Sequence, residues 1–216
     1  MPAAAPHALH ELAEARLALY RFLVAALNKP TPARHAWMRR PEFRRALEDV
    51  CDRFGLPCPD DDAVPEEPAD YESQYIACFE VGLPAAPVPL QASHYNRREP
   101  VPAVIHEHIL FYRRFGMRQA ADNAEPADHV LNEVAFLIHL DELLLAGNTE
   151  VESLLFGRRD FLGRQITPWL SRAAAEAEKQ RLPATYRTLL GVLARATQED
   201  LDLTGGAAGR RAREDA

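Results

Sequence analysis

The chain has few cysteines, and they do not form a metal-binding or redox motif. Its 216 residues include only Cys51, Cys58 and Cys78. No C-x-x-C pair occurs, and any single disulfide would leave one cysteine unpaired. This usage favours a reducing compartment over a secreted, disulfide-stabilised protein.

Long hydrophobic runs are also absent. The N-terminal segment lacks the basic start of a signal peptide, and charged residues at positions 11, 14, 16 and 21 interrupt its first apolar stretch. A transmembrane helix needs about 20 mostly apolar residues, so neither a signal peptide nor a membrane span is predicted. We therefore expect a cytoplasmic protein without stable membrane insertion.

The usual catalytic motifs are missing. The sequence contains neither phosphate-cradling loop (G-x-x-x-x-G-K-[ST] or G-x-G-x-x-G), and no G-x-S-x-G. The eight histidines include no H-E-x-x-H and no E-x-x-H, the motif that paired helices use for two-metal sites. His106 and His108 are two residues apart, which places them on different sides of a helix. We predict that the chain is not an enzyme and carries no metal or other cofactor.

The formal net charge is −7, whereas a nucleic-acid-binding protein normally presents a basic face. Nucleic acid is therefore not an expected partner. An acidic chain is compatible with a basic peptide, because acidic surfaces attract cations. The 47% apolar fraction is enough for a substantial core, and the length suits one domain.

Helical periodicity dominates the sequence. The stripe from Leu9 to Leu27 is apolar apart from Arg16, and the apolar repeat from Phe43 to Phe54 stops at Gly55. A similar repeat ends at Gly116. Further helices are predicted over 126–147, 149–163, 167–182 and 183–203. No sustained alternation of period two occurs, so an all-α, single-domain helical bundle is predicted.

Three segments are not predicted to be helical. Residues 55–70 and 82–102 are rich in proline, and the first of them is also acidic, so both are expected to be loops. Residues 204–216 have little apolar content and are expected to form a disordered C-terminal tail after a domain spanning 1–203.

The most informative stretch is Glu125-Pro126-Ala127-Asp128-His129, which precedes the apolar run 130–145. Proline is favoured in a first helical turn, and the helix dipole favours carboxylates there. Asp128 and His129 are therefore predicted on the first turn of a long buried helix. There Asp128 suits a guanidinium fork, and His129 titrates near neutrality. The alternative is an ordinary helix start whose polar residues cap backbone N–H groups.

A second stretch holds aromatic residues at helical spacing. Tyr71, Tyr75 and Phe79 share one helical face ahead of Gly82, and a Pro-rich passage then leads to Ser93 and Tyr95. Two interpretations have about equal weight: core packing, or one side of a peptide groove near Gly82. Ser93 is at least as well explained as a loop cap.

The order of these motifs resembles the TorD/DmsD/NarJ group of redox-enzyme maturation chaperones. The resemblance covers roughly residues 10–203, includes Ile166-Thr-Pro-Trp-Leu170 and Pro183-Ala-Thr-Tyr186, and is sharpest over 125–129. Within the group the chain looks most similar to chaperones of type II dimethyl-sulfoxide-reductase-like enzymes. It departs from the pattern at Cys78-Phe-Glu-Val-Gly82 and at Arg164-Gln-Ile166.

The resemblance implies a helical, non-catalytic chaperone that binds the twin-arginine leader or the apo-form of a molybdopterin oxidoreductase catalytic subunit. Such a chaperone assists cofactor insertion and delays export until maturation. A monomer or a helix-exchanged dimer is implied. The residues implied in client binding match the motifs above: Asp128, His129, Glu125, Pro126, Tyr75, Phe79, Gly82, Ser93 and Tyr95. The alternative is a general helical interaction module with a different partner.

Overall fold

The structure, a computed structural model, describes residues 4–60, 63–119, 124–147 and 150–214, with side chains described from residue 7 to residue 204 within these ranges. These residues form helices and one isolated β-bridge but no strand, so the predicted all-α class is confirmed. The helices are α1 (Ala4–Leu27), α2 (Pro32–Met38), α3 (Pro41–Phe54), α4 (Pro68–Phe79), α5 (Ala92–Tyr95), α6 (Val101–Arg114), α7 (Val130–Leu145), α8 (Val151–Phe161), α9 (Thr167–Lys179) and α10 (Ala184–Glu214).

Local chemistry sets several helix ends. Thr31 caps α2 by accepting a hydrogen bond from the Arg34 backbone N–H at 3.1 Å. Gly55 adopts the left-handed conformation with φ 59°, and the Leu56 N–H donates to the Cys51 carbonyl at 2.9 Å. This arrangement ends α3 at the predicted glycine, because glycine takes positive φ without steric cost. Gly116, with φ 76°, follows α6 in the same way.

The core is organised around two long helix pairs. α1 packs along α7, and α9 packs along α10. Leu23, Phe136, Leu137, Phe161 and Leu193 are completely buried among these helices and α8. The apolar stripes read from the sequence therefore face one common core.

A network of buried charges crosses this core. Arg158 of α8 lies 2.6 Å from the Asp200 carboxylate of α10 and 3.1 Å from the Asp141 carboxylate of α7. Arg16 of α1 contacts the same two carboxylates at 3.2 and 2.7 Å, and the Tyr20 hydroxyl donates to Asp200 at 3.0 Å. Burial alone would raise the pKa of Asp200, but the charge and hydrogen bonds of Arg158 outweigh it and hold the pKa below its usual value.

The structure differs from two predicted helix boundaries. α7 begins at Val130, four residues after Pro126, so that residues 125–129 precede the helix. α8 and α9 form one continuous helical rod joined by a π-helical turn, Leu162–Ile166, where two separate helices were expected. Pro168 has no N–H for the preceding turn, and a widened turn accommodates that loss without ending the helix.

The loops and the C-terminal tail also differ in extent. α4 begins inside the first Pro-rich stretch, and the second stretch contains α5 and the start of α6. The tail predicted to be disordered is helical in the structure, since α10 continues to Glu214, and residues 215 and 216 lie outside the described part. Extending an existing helix gains one hydrogen bond per residue, and alanine and arginine are good helix formers, so the backbone continues past Gly205 and Gly206.

We expect Asp200→Ala to lower the free energy of unfolding by about 3–5 kcal/mol, because it leaves Arg16 and Arg158 buried without this carboxylate. Urea denaturation measures the loss. Asp202→Ala is the matched control, since Asp202 is exposed on the same helix, and it should change stability by less than about 0.5 kcal/mol. Equal losses in the two variants would contradict a structural role for the network.

Candidate functional site

The end of the second Pro-rich stretch is paired with the turn before α7. The Val130 N–H donates to the Leu90 carbonyl at 2.9 Å, and the Ala92 N–H donates to the Asp128 carbonyl at 2.9 Å. These bonds make an isolated antiparallel bridge between Gln91 and His129. The two motifs singled out in the sequence, about 35 residues apart, are therefore brought together in the structure.

Asp128 lies beneath the surface and holds the loop in place. Its carboxylate is fully buried, and Oδ2 accepts a hydrogen bond from the Ser93 backbone N–H at 2.9 Å. The second oxygen, Oδ1, is buried without a hydrogen-bond partner among the described residues. Asp128 was expected to present its carboxylate at the surface, whereas the structure uses one oxygen to fix the start of α5.

His129 is the N-cap of α7. Its Nδ1 accepts a hydrogen bond from the Leu131 N–H at 3.3 Å, and its Nε2 lies 3.6 Å from Glu125 Oε2. Burial lowers the pKa of His129, and the nearby Glu125 carboxylate only partly opposes that effect. The neutral imidazole is therefore favoured at neutral pH, which suits its role as an acceptor at the helix start.

Side chains and main chain together shape the turn from residue 125 to residue 129. Asn132 donates from its amide to the Pro126 carbonyl at 2.7 Å and to the Glu125 carbonyl at 3.1 Å. The Tyr112 hydroxyl donates to the Ala127 carbonyl at 2.6 Å. These bonds satisfy three successive carbonyls outside the helix, which explains why α7 does not begin at Pro126.

Two carboxylates meet at the open side of this turn. Lys29, just after α1, lies 2.8 Å from Glu125 Oε1 and 3.4 Å from Glu80 Oε1. The hydrogen bond to Glu125 raises the pKa of Lys29, and burial opposes it. We call these two carboxylates the Glu80–Glu125 pair. Glu125 is among the residues predicted from the sequence. Glu80 is not, although Glu80 directly follows Phe79 of the aromatic motif.

The aromatic residues of α4 belong to the core. Tyr75 and Phe79 are buried, and their rings pack against Tyr186 of α10 with centroids 6.1 and 5.0 Å apart. Gly82, in contrast, is exposed, and a Cβ at this position would lie 2.2 Å from the Ala85 carbonyl oxygen. Only glycine fits this close approach. Tyr75 and Phe79 thus support the loop from within, and Gly82 shapes it.

Apolar side chains stand out from the loop that follows α4. Val81 is 63% exposed, and Leu83 is fully exposed. Both flank Gly82 and follow Glu80 in sequence, so exposed apolar side chains lie next to an acidic residue along the chain. This is the region where the sequence predicts a peptide groove.

Ser93 and Tyr95 lie in α5, which is held between α9 and the turn before α7. Ser93 contributes its backbone N–H, as described above, and Tyr95 stacks on Trp169 with ring centroids 5.4 Å apart. Arg172 donates to the Tyr95 carbonyl at 3.1 Å. These two contacts place Tyr95 against α9 and not at the Glu80–Glu125 pair.

A buried acid–base pair lies behind Tyr95 and Trp169. His108 Nε2 is 2.8 Å from Glu133 Oε1, and the Trp169 indole N–H donates to Glu133 at 3.0 Å. Burial raises the pKa of Glu133 to about 7. Burial lowers the pKa of His108, but the hydrogen bond and charge of Glu133 outweigh it, so that pKa is raised as well.

Over the described ranges, no three histidine, cysteine or acidic side chains converge as a metal site would require. Within those ranges, none of the helices combines the length and the apolar character needed to cross a bilayer.

Comparison with known proteins identifies the family. Residues 40–175 match the family described as nitrate reductase delta subunit. The chain belongs to this family.

Individual members of the family are similar over much of the chain. It is 31% identical over 192 residues to the dimethyl sulfide dehydrogenase assembly chaperone protein of Rhodovulum sulfidophilum, covering 83% of this chain and 76% of the relative. It is 28% identical over 139 residues to the selenate reductase assembly chaperone protein of Thauera selenatis, covering 60% and 69%. These matches confirm the resemblance to redox-enzyme maturation chaperones, and the family is one of assembly chaperones and not of catalysts.

The buried contact of Asp128 gives a first prediction for this family member. We expect Asp128→Ala to cost about 1–3 kcal/mol of unfolding free energy, because the Ser93 N–H loses its acceptor. Amide hydrogen exchange at Ser93 should accelerate. Asp128→Asn keeps an oxygen at the same place and should retain most of the protection at Ser93. Unchanged exchange in the alanine variant would show that the loop does not depend on this carboxylate.

The His108–Glu133 pair gives a prediction about pH. Both pKa values are raised on folding, so the folded chain binds protons more tightly, and this contribution to stability is lost as the pH rises through 7. His129 has a lowered pKa and opposes the trend, so the comparison must be between variants. Urea unfolding across neutral pH should show a stability that falls more steeply in wild type than in His108→Gln/Glu133→Gln. Parallel profiles would show that the His108–Glu133 pair does not contribute to the pH dependence.

Proposed function

We propose that this chain is a cytoplasmic chaperone of a molybdopterin oxidoreductase catalytic subunit. It binds the twin-arginine leader of the apo-subunit, assists cofactor insertion and delays export until the subunit is mature. The similarity to assembly chaperone proteins supports the chaperone part of this proposal. The recognition of a leader is argued from the site itself.

The observation that carries the proposal is a cation held between two carboxylates beside exposed apolar side chains. A twin-arginine leader presents two guanidinium groups followed by an apolar stretch. Lys29 lies between Glu80 and Glu125, where a client arginine would find the same two acceptors. Val81 and Leu83 adjoin them as contacts for the apolar stretch. Arginine would bind more specifically than lysine, because its planar fork can contact both carboxylates at once.

Six of the other sequence-predicted residues support this surface in the proposal. Asp128 and His129 are positioning residues in the proposal, since one holds the Leu90–Ser93 segment and the other caps α7 next to Glu125. Pro126 and Gly82 shape the turns on either side. Tyr75 and Phe79 support α4, which ends at Glu80.

Calorimetric titration with twin-arginine leader peptides tests the proposal. One leader should bind saturably, and its Arg-Arg→Lys-Lys form should bind more weakly. Glu80→Gln/Glu125→Gln should weaken leader binding about 30- to 150-fold, because replacing a charge-assisted hydrogen bond by a neutral one costs about 1–1.5 kcal/mol at each of the two contacts. Lys29→Gln should strengthen binding, since the leader then displaces no internal cation.

Glu66→Gln/Glu67→Gln is the matched control. It removes two carboxylates from an exposed stretch before α4 and should leave leader binding unchanged. If no leader binds any variant, the chain is better described as a general helical interaction module with a different partner. If leaders bind but both double variants behave like wild type, the arginine site lies elsewhere.

A further inference from the structure

A second surface has the opposite charge. A groove of about 780 Å³ lies between α9 and the segment that follows α5, and five cationic side chains line it. We call it the basic groove and define it by these residues: Arg97, Arg98, Arg164, Arg172 and Lys179. Only Glu99 and Glu176 contribute carboxylates to its lining. A chain of net charge −7 therefore concentrates a local positive excess here.

Several of these cations are not used in the fold. The guanidinium groups of Arg97 and Arg98 make no hydrogen bond or ion pair with any described residue, and both side chains are exposed. Arg172 gives one hydrogen bond, to the Tyr95 carbonyl. Lys179 and Arg164, in contrast, are already paired: Lys179 lies 3.3 Å from Glu176, and Arg164 contacts Glu107 and Asp160. Three arginines facing one groove thus have donors available for an anionic ligand.

The spacing of the charges indicates the size of the ligand. Arg164, Arg172 and Lys179 follow one another at intervals of eight and seven residues along the α8–α9 rod. At a rise of about 1.5 Å per residue, they span roughly 20 Å. A single phosphate or carboxylate group contacts only one end of such a row. An extended peptide rises about 3.3 Å per residue, so about six residues match its length.

The helix ends near the groove do not favour a compact phosphate site. Such sites commonly use free backbone N–H groups at a helix N-terminus. α6 begins between Pro100 and Pro102, which lack N–H groups, and α9 continues directly from the π-helical turn. The positive charge of the basic groove therefore comes from side chains distributed along it, as suits a ligand with distributed negative charge.

We propose that the basic groove binds an extended acidic segment of the client subunit, separate from its leader. This inference rests on the proposed function for the identity of the client. The leader arginines are repelled from the basic groove and attracted to the Glu80–Glu125 pair, so the two surfaces select different parts of one client. The segment Gln91–Tyr95 joins them, since its start is bonded to the turn before α7 and Tyr95 lines the basic groove.

Fluorescence anisotropy with a labelled octaglutamate peptide tests this inference. We expect saturable binding that Arg97→Gln/Arg98→Gln weakens about tenfold and makes less dependent on salt. The matched control is Arg113→Gln/Arg114→Gln, which removes two adjacent exposed arginines at the far end of α6 and should change the affinity less than about twofold. If the two double variants weaken binding equally, the peptide is held only by general charge attraction and the proposal is overturned.

Two further arms separate the ligand classes and the two proposals. Tripolyphosphate should displace the labelled octaglutamate only weakly. If it does so at concentrations as low as those of unlabelled octaglutamate, the groove binds small anions and the proposal is overturned. Leader binding should be unchanged in Arg97→Gln/Arg98→Gln. If the wild-type protein binds the leader but not octaglutamate, the basic-groove proposal fails and the proposed function stands. If the wild-type protein binds octaglutamate but no leader, the proposed function fails and the basic groove remains as an acidic-peptide site.

Discussion

The buried contact between Arg158 and Asp200 determines how the helices of this protein fit together. Arg158 extends from α8 to α10 and α7, and Arg16 brings α1 to the same carboxylates. Burying charges costs free energy, and apolar residues of similar volume often stabilise a core equally well. The charged groups also restrict how the helices can be arranged, because a planar guanidinium binds its carboxylate partners in only a few geometries. Four helices are thereby held in one register, and the start of α7 is fixed with them.

The positions of the two proposed binding surfaces follow from that helix start. The turn before α7 receives the Leu90–Ser93 segment through main-chain hydrogen bonds and the Asp128 carboxylate, and it presents Glu125 beside Glu80. The far end of the same segment stacks Tyr95 on Trp169 beside the cationic side chains of α9. Two surfaces of opposite charge are thus connected by one short, well-anchored stretch, with the polar residues of the turn committed to holding it.

Much of the fold could be predicted from the sequence, because helical periodicity and glycine stops are local signals. Gly55 and Gly116 follow the helices that they were expected to end. Arg16 was visible as a polar interruption in an apolar stripe, but its partners lie 125 and 184 residues away and leave no local trace. Pro126 favours a helix start locally, yet Asn132 and Tyr112 engage the carbonyls around it and delay the helix. The candidate site was found only in part, since Lys29 reaches Glu125 through tertiary structure alone.

The separation of Arg16 from Asp200 along the chain has a consequence for biosynthesis. During translation, Arg16 cannot meet this carboxylate until residue 200 has been made, 184 residues later. Contacts between residues so distant in sequence also form late and slow folding, because a long loop must close first. A ribosome-bound fragment that ends before residue 200 therefore contains α1 and α7 but lacks the contacts of Asp200 with Arg16 and Arg158. The two proposed binding surfaces are therefore expected to form together, once residue 200 has been made.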